Sequence, residues 1–476
     1  MRVLGPVWRM GLGSGVAKAL AGVALTLAIE PASADTLRWA LTQAYINNPQ
    51  INAQRAQVRA TDEAVPKALS GYRPRISLSA SAGEAFVDST SRSAGLQGPV
   101  YSRTIGNNAI QTYGATYSQT LLNGNQTANQ TRQAEQQVSA ARETLRNSEQ
   151  TILLAAATAY MNLIRDAAIL SLQRSNVEVL QEQLRQTRDR YDVGEVTRTD
   201  VAQAESRLAQ ARAQLLTAES NYATSRASYR QVIGVEPGRL DPASPVDRLS
   251  PSNLQQAIVL ARAQHPAVTT QMFNVDSAVF AVKVAEASLY PTLTAVGSVT
   301  KQYGSSSVLS NIESFNAIGQ AQLNVPIYQG GTEYANIRQA KELLQQQRVT
   351  LDNQRDTQQQ ALVQSWGQLD AAKAQVQATQ TQVNAAEIAL NGVREEARVG
   401  QRTTLDVLNA QQELVNARVS LVTAQRDRVV FSYTVLSNVG QLSPTVLQLD
   451  VPIYDPVVHY HQVRDTWAGV RTPDGK

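Results

Sequence analysis

Apolar side chains recur every seven residues along several long segments of the chain. In one segment Leu163, Leu170, Val177 and Leu184 keep this spacing, and Tyr191 continues it. A sustained heptad pattern predicts α-helices that pack side by side as a left-handed coiled coil. The same spacing is found at Val201, Leu208, Leu215, Tyr222 and Tyr229, and again at Leu369, Val376, Val383, Leu390 and Ala397.

The longest of these segments contains no proline from residue 124 to residue 193. About 70 helical residues, with a rise of about 1.5 Å each, would reach roughly 105 Å. We predict two shorter helical pieces, one over 195–234 and one from Pro49 to about Ser70. Their combined length matches the long helix, so we expect them to stack end to end beside it.

Between the helical segments the alternation changes to a period of two. Ile76 and Leu78 alternate with Ser77 and Ser79, so one face of the predicted strand is apolar and the other is polar. Transmembrane barrels show this pattern, with lipid outside and water inside, and so do half-buried strands of soluble proteins. We predict Ser- and Gly-rich loops at the tips of the two hairpins. The apolar positions of the other strands include Tyr113, Ala115, Tyr117, Phe315, Ala317, Ala321, Leu323 and Val325, and the loops are expected around 88–107 and 304–314.

The chain supplies only four such strands. Membrane barrels need at least about eight strands, and lipid does not tolerate the two unpaired edges that an open sheet would leave. We therefore expect several copies of the chain to join their strands into one closed barrel.

The order of elements occurs twice along the chain. At one constant offset Leu37 corresponds to Leu254, and Pro49 corresponds to Pro266. Further along, a second and shorter offset applies. The offset changes between Pro74 and Gly124, within the predicted β-hairpin. A hairpin loop tolerates a change of length there, whereas an insertion in a helix would rotate a packed helix face by about 100°. Pairs at the second offset include Gly124 with Gly330, Val193-Gly194 with Val399-Gly400, and Asp200-Val201 with Asp406-Val407.

The N-terminus has the pattern of a secretory signal peptide. Basic residues precede an apolar run over 19–29, and Ala32-Ser33-Ala34 supplies the small residues of a cleavage site. The apolar run is too short to span about 30 Å of hydrocarbon, which needs about 20 residues. We expect no transmembrane helix further along, so a membrane location would depend on β-strands.

Composition limits the classes of function. Of the 476 residues 5% are aromatic and 17% are charged, and the formal charge is only +4. There is no long basic run, so nucleic-acid binding gains no support. The absence of cysteine excludes disulfides, cysteine-ligated zinc and a thiol nucleophile. Because no catalytic constellation is recognisable, we expect neither an enzyme nor a cofactor.

We assign none of the three histidines to a metal site. His265 precedes Pro266, and we interpret it as part of a helix start. His459 and His461 form an HxH pattern near two aspartates, which could bind a metal ion. Exposed positions in the C-terminal tail are the simpler interpretation, and these two histidines are assigned no role.

With these elements in this order, the sequence resembles the TolC-like outer-membrane efflux and type I secretion channels. The most specific elements of the resemblance are the paired tips at 191–201 and 397–407, which read YDVGEVTRTDV and ARVGQRTTLDV. The resemblance implies an α+β membrane protein of the outer membrane that extends into the periplasm. A homotrimer would form a 12-stranded transmembrane β-barrel, four strands per chain, continuous with a long α-helical coiled-coil barrel. The implied partners are outer-membrane lipid, a periplasmic adaptor protein and an inner-membrane transporter.

In this arrangement a signal peptide over 1–34 precedes a first repeat over 35–250 and a second repeat over 251–446. A C-terminal equatorial tail follows over 447–476. Each repeat begins with a short helix. The predicted β-hairpins cover 74–122 and 291–329, and the predicted long helical hairpins cover 124–234 and 331–440.

The resemblance also assigns roles to residues at the tips. Asp406 matches an acidic ring at the periplasmic mouth, where three carboxylates near the axis would favour cations. Arg402 matches a basic gating residue, with Thr199 and Asp200 as its candidate partners in an inter-hairpin latch. Asn409 stands where the family often has a second acid, so we expect weaker cation binding at the aperture. The residues implied for adaptor docking are Val193, Gly194, Thr197, Val399, Gly400 and Thr403.

The alternative is a periplasmic coiled-coil adaptor or structural protein. An adaptor would have one helical hairpin flanked by small β-domains, whereas this sequence predicts two equivalent hairpins, each joined to an amphipathic strand pair. A passive channel that exports drugs, proteins or both is the favoured function. Polysaccharide also stays open as a cargo, because a wide polar tunnel has no pocket whose shape selects what passes.

Overall fold

The computed structural model describes residues 35–305, 312–473 and 475. The predicted signal peptide over 1–34 lies outside the described residues, as does the centre of the second hairpin loop. Asp35 forms a short parallel bridge with Leu240.

The first half of the chain forms three short helices, one strand pair and one long helical hairpin. A short 3₁₀ turn over 70–72 connects the third helix to the first strand. The elements are α1 (Leu37–Asn47), α2 (Pro49–Asp62), α3 (Ala64–Leu69), β1 (Arg75–Gly95), β2 (Gly98–Asn123), α4 (Gln126–Asp192) and α5 (Arg198–Ile233).

The second half has a similar order of elements and ends in one additional helix. The elements are α6 (Leu254–Gln264), α7 (Pro266–Glu286), β3 (Thr292–Ser305), β4 (Ile312–Asn324), α8 (Thr332–Arg398), α9 (Thr404–Val439) and α10 (Pro456–Val463).

The long helices that the heptads predict are present. α4 and α8 each contain 67 residues, and α5 and α9 each contain 36. The longer pair therefore reaches about 100 Å at about 1.5 Å per residue. Leu163 through Leu184 are buried as the heptad predicts, but Tyr191 is exposed, because it lies in the last turn of α4, where packing against α5 ends.

The shorter helices stack end to end beside the long ones. α5 ends at the junction of α1 and α2, where the Asn48 side-chain amide donates to the carbonyl of Val232 at 2.8 Å. In the second half Gly440, which ends α9, lies against His265 at the junction of α6 and α7. His265 is the N-cap of α7, and its Nδ1 accepts the backbone N–H of Ala267 at 3.2 Å. The interpretation of His265 as part of a helix start is therefore confirmed.

The four strands form one antiparallel sheet in the order β1-β2-β3-β4. Residues opposite each other in adjacent strands share a face, so the register carries one apolar face across the sheet. Leu78 lies opposite Ala115, which lies opposite Val299, which in turn lies opposite Ala317. The other face is polar, and the Ser77 and Thr116 hydroxyls on it are 2.6 Å apart.

The first hairpin is much longer than the second. β1 and β2 contain 21 and 26 residues, whereas β3 and β4 contain 14 and 13. β1 and β2 stay paired as far as Gly95 and Gly98. The expected loop over 88–107 is therefore wrong, because Ser and Thr side chains suit a solvated ladder as well as a loop. The Arg103 guanidinium, 2.7 Å from the Asp88 carboxylate on the opposite strand, supports this pairing.

The largest apolar core lies where the two halves meet at the ends of the short helices. It combines residues of α1, α4, α5 and α9 with the segment that follows α9. Tyr160 is fully buried there, and its hydroxyl donates to the carbonyls of Asp35 and Asp241 at 2.7 and 2.6 Å. This core fixes the start of the described chain and the segment that follows α9 to the middle of α4.

One helix, α4, also contains a window that is long and apolar enough to cross a membrane. This differs from the expectation that the sequence holds no such stretch. Half of the window is buried inside the molecule, and the buried α4 residues Leu153 and Ala157 belong to the largest core. Packing within the chain therefore accounts for part of the apolar character of α4.

Candidate functional site

The candidate site is the pair of helical-hairpin tips at the end of the molecule farthest from the sheet. At the first tip α4 ends at Asp192, and Gly194 adopts a left-handed conformation with φ of +79°. Its N–H donates to the carbonyl of Tyr191 at 2.9 Å, and the N–H of Glu195 donates to that of Arg190 at 2.9 Å. Glycine suits this turn because a Cβ disfavours positive φ.

The second tip has almost the same backbone geometry. Gly400 also has φ of +79°. The N–H of Gln401 donates to the carbonyl of Glu396 at 2.9 Å. The residues before the two glycines, Val193 and Val399, have φ of −96° and −93°. The two Val-Gly pairs therefore end α4 and α8 in the same way.

Each return helix begins with a reciprocal capping box. Thr197 caps α5 and Thr403 caps α9, and in each case the carboxylate three residues later bonds back to the threonine. Asp406 Oδ2 accepts the Thr403 backbone N–H at 3.0 Å and its hydroxyl at 2.9 Å. Asp200 makes the same contacts with Thr197 at 2.9 and 2.7 Å.

These hydrogen bonds keep both carboxylates charged. The backbone N–H and the hydroxyl of Thr403 hold the pKa of Asp406 below its usual range, and the nearby Arg402 acts in the same direction. The Thr197 hydroxyl and backbone N–H likewise lower the pKa of Asp200. An ionised carboxylate also interacts favourably with the positive end of the helix that it caps.

The structure gives Arg402 a different partner from the one expected. Its Nε donates to Glu396 at 2.8 Å, within the same hairpin. Neither Thr199 nor Asp200 bonds to it among the described contacts, and the Asp200 carboxylate is occupied by Thr197. In this conformation the expected inter-hairpin latch is not formed, because each of its charged members is satisfied inside its own tip.

A different pair of residues links the two hairpins. The Arg207 guanidinium on α5 donates to the Asn409 side-chain oxygen on α9 at 2.7 Å. One residue earlier, Leu408 is almost fully buried in an apolar cluster of the first hairpin that includes Leu184 and Leu208. Sequence reasoning missed both contacts. One sequence signal for Leu408 is its size, because the corresponding residue of the first hairpin is the smaller Ala202. In the structure Ala202 is exposed.

The two tips enclose an open groove of about 940 Å³ that is rich in charged side chains. It is lined by Thr197, Asp200, Arg402 and Thr403 together with Gly400. The structure therefore brings gate and latch candidates from both hairpins to one groove, although the expected ion pair between them is absent from the described contacts.

The Val-Gly turns at the two tips are exposed to solvent. Val193 and Val399 are exposed. A Cβ added at Gly194 or at Gly400 would meet no atom within 4 Å. Small exposed apolar turns of this kind leave room for another protein to approach the backbone closely.

The two histidines of the tail have different surroundings. Among the described residues no three His, Asp or Glu side chains cluster as metal ligands would. The expectation that both histidines are exposed is wrong for His459, which is buried and paired with Asp62 at 2.9 Å. His461, two residues later, is exposed as expected.

Comparison with known proteins places these features in a family. The outer membrane efflux protein family model matches residues 40–235 and again 257–436. The chain is 41% identical over 457 residues to the outer membrane efflux protein BepC of Brucella suis biovar 1, covering 96% of each chain. It is 26% identical over 336 residues to the outer membrane protein TolC of Escherichia coli K12, covering 66% of each. The alkaline protease secretion protein AprF of Pseudomonas aeruginosa is 26% identical over 60% of each chain.

Solved structures of outer-membrane proteins share the fold. The Campylobacter jejuni CmeC outer membrane channel superimposes with a TM-score of 0.73 at 16% identity, covering 95% of this chain and 98% of that one. The outer membrane protein VceC of Vibrio cholerae gives 0.70 at 19% identity, covering 85% and 96%. The twofold family match and these superpositions agree with the strand and helix order described above. The chain belongs to the outer membrane efflux protein family and is an outer-membrane channel for efflux or secretion that extends into the periplasm.

Proposed function

We propose that three copies of this chain form a passive export duct. Each copy gives four strands to a 12-stranded barrel in the outer membrane, and its helical hairpins continue the duct through the periplasm. The two halves, over 35–250 and 251–446, are repeats of one unit, and the tail over 447–476 starts at the equator, beside the core of α1 and α4, and runs from there towards the base of the sheet. The duct carries out no chemistry, and an inner-membrane transporter supplies the energy for export.

The observation that supports this proposal most directly is the sheet. It packs against no large helical element among the described residues, and its apolar face is exposed from Leu78 to Phe315. β1 and β4 each have one strand neighbour within the described chain. Lipid tolerates neither open edges nor unpaired backbone groups, so β4 of one copy would pair with β1 of the next. A periplasmic adaptor would not need such a surface.

The hairpin tips form the periplasmic aperture in this proposal. Three copies of Asp406 near the axis would make a ring of negative charge that favours cations. Asn409 would lie about one helical turn from this ring on α9. Opening would separate the tips. In the described conformation Arg402 pairs with Glu396, so its contacts with Thr199 and Asp200 would form in a different conformation. The exposed Val-Gly turns and their capping threonines, namely Val193, Gly194, Thr197, Val399, Gly400 and Thr403, would receive the periplasmic adaptor.

The test is single-channel conductance of the purified trimer in a planar bilayer, with Asp406→Ala beside the unchanged protein. We expect a steady, cation-preferring conductance whose selectivity falls in the variant. Asp200→Ala is the matched control, because it removes the same capping box from the other hairpin. Loss of helix capping alone would change ion selectivity equally in both variants, whereas a carboxylate ring at the mouth predicts lower cation selectivity only for Asp406→Ala. Loss of the latch contact in Asp200→Ala would change how often the channel opens and not its selectivity.

Two results would contradict the proposal. A correctly trimeric protein that conducts neither as purified nor as Arg402→Ser, which should loosen the tips, would exclude a duct. Equal selectivity in the unchanged protein and in Asp406→Ala would exclude that residue from the aperture.

A further inference from the structure

The C-terminal tail carries two apolar side chains, Trp467 and Val470, that the described chain leaves uncovered. Trp467 is 70% exposed and Val470 is 100% exposed. A tryptophan is large and usually well buried. The position of these two residues in the fold indicates what covers them.

The tail is fixed to the helices before it reaches Trp467. Asp455 caps α10 by accepting the backbone N–H of Val457 at 2.8 Å. His459 and Val463, four residues apart on one face of the helix, are buried, and α10 packs against α2. The Arg142 guanidinium lies 5.1 Å from the ring of Tyr460. These contacts set the direction in which the chain leaves α10.

That direction leads to the base of the sheet. Arg73 donates to the carbonyl of Thr466 at 2.7 Å, and its guanidinium lies 5.0 Å from the centroid of the Trp467 ring. Arg73 is two residues before the start of β1 at Arg75. Trp467 therefore lies at the level where the first strand leaves the helical part of the molecule.

Other exposed aromatic rings mark the same level. Tyr72 precedes β1, Tyr290 precedes β3, and Tyr328 follows β4, and all three side chains are exposed. Aromatic rings are enriched where a membrane protein crosses the boundary between hydrocarbon and water. The strand ends of this sheet thus have the side chains of a membrane interface, and Trp467 extends that set beyond the strands.

We propose that Trp467 and Val470 insert into the phospholipid headgroup region on the periplasmic side of the outer membrane, so that the tail anchors the helical part of the channel to the membrane surface. The indole suits this region because it is apolar in bulk yet carries an N–H donor. Arg471 follows Val470 and supplies a positive charge for lipid phosphate groups. This inference rests on the proposed insertion of the sheet into the membrane.

The experiment is quenching of tryptophan fluorescence in the full mature trimer, reconstituted into phosphatidylethanolamine and phosphatidylglycerol vesicles with bromine near the headgroup end of the acyl chains. Trp39→Phe with Trp366→Phe leaves Trp467 as the only tryptophan outside the predicted signal peptide. We expect the brominated lipid to remove most of its emission. A variant that keeps only Trp39, on α1 and away from the sheet, should keep its emission.

A third reporter separates failure of this inference from failure of the proposed function. Phe315→Trp, with Trp39, Trp366 and Trp467 replaced by Phe, places the only tryptophan outside the predicted signal peptide on the apolar face of β4, at a side chain that is exposed in the single chain. Quenching of this reporter without quenching of Trp467 would overturn the anchor and leave the channel intact. If neither is quenched, the sheet is not in the membrane. If Trp467 is instead protected from acrylamide in lipid-free trimers, a neighbouring copy covers it and the anchor is wrong.

Discussion

The imidazole Nδ1 of His459 lies 2.9 Å from the Oδ2 atom of Asp62, and this contact joins the C-terminal tail to α2. Asp62 is completely buried, and burial raises the pKa of its carboxyl despite the hydrogen bond from His459. Arg142 Nη2 is 4.0 Å from the other carboxylate oxygen. A buried acid of this kind depends on its few partners, because a buried polar group without one is costly.

We expect His459→Ala to loosen the tail. Leaving the Asp62 carboxyl without its nearest partner costs about 1–3 kcal/mol, and the part of the chain that opens first is α10. Trypsin should then cut after Arg464 and Arg471 at a higher rate than in the unchanged protein. His461→Ala is the matched control, because His461 is exposed on the same helix. Equal cleavage rates in the two variants would show that the buried pair does not hold the tail.

Stability should also depend on pH through His265. Burial lowers the pKa of this imidazole to about 4, below the unfolded value of about 6.5. Unfolded chains therefore bind the proton more readily between these two values. The stabilisation is complete above about pH 6.5 and is lost as the pH falls towards 4, by at most about 3 kcal/mol.

The chain provides the variant that tests this pH dependence. Asn48 holds the same cap position in the first half, and its Oδ1 accepts the Gln50 N–H at 2.8 Å without titrating. His265→Asn should therefore keep the cap and flatten the decline of the trimer's thermal midpoint between pH 6.5 and pH 5. A variant that declines as steeply as the unchanged protein would place the pH dependence elsewhere.

The long elements could be predicted because their signals are local. Heptads such as Leu163 to Leu184 specify a packed helix face wherever the partner lies, and alternation from Ile76 onward specifies a two-faced strand. Composition was a poorer guide over 88–107, where small polar residues suit a solvated strand and a loop equally. The additional length of the first hairpin therefore lies in its strands.

Contacts between distant parts of the chain could not be predicted from local patterns. Asp62 and His459 are 397 positions apart, and Arg207 and Asn409 are 202 apart. Neither pair leaves a trace in the periodicity around it. The expected partners of Arg402 came from a resemblance and not from these residues, and the nearby Glu396 satisfied the guanidinium instead.

Two glycines with nearly the same backbone conformation should differ in their tolerance of alanine. Gly440 and Gly400 have φ of +88° and +79°. Alanine at either position would have to adopt a left-handed conformation, which lowers the free energy of unfolding by about 1–2 kcal/mol. At Gly440 the added Cβ would also lie 2.8 Å from His265 Cα, whereas at Gly400 it would meet nothing within 4 Å. We expect Gly440→Ala to lower the thermal midpoint of the trimer clearly more than Gly400→Ala. Similar midpoints would mean that the α9 end can move away from α7.

The link between the hairpins gives a prediction about opening. Arg207 Nη2 donates to Asn409 Oδ1 at 2.7 Å, and the contact is exposed to solvent. Asn409→Asp would turn this contact into an ion pair that holds the tips together. An exposed pair contributes under about 1 kcal/mol, so the expected result is a several-fold lower open probability in a planar bilayer and not a sealed channel.

The added carboxylate should raise cation preference as well, and a second substitution separates the two effects. Asn409→Asp combined with Arg207→Gln keeps the acid but removes the ion pair. This double variant should be more cation-selective than the unchanged protein while opening as often. In 1 M salt, where the Debye length is about 3 Å, the lower open probability of Asn409→Asp should largely disappear, because an exposed ion pair is screened. If Asn409→Asp opens as often as the unchanged protein at low salt, the contact of Arg207 with Asn409 is a surface contact without a part in opening.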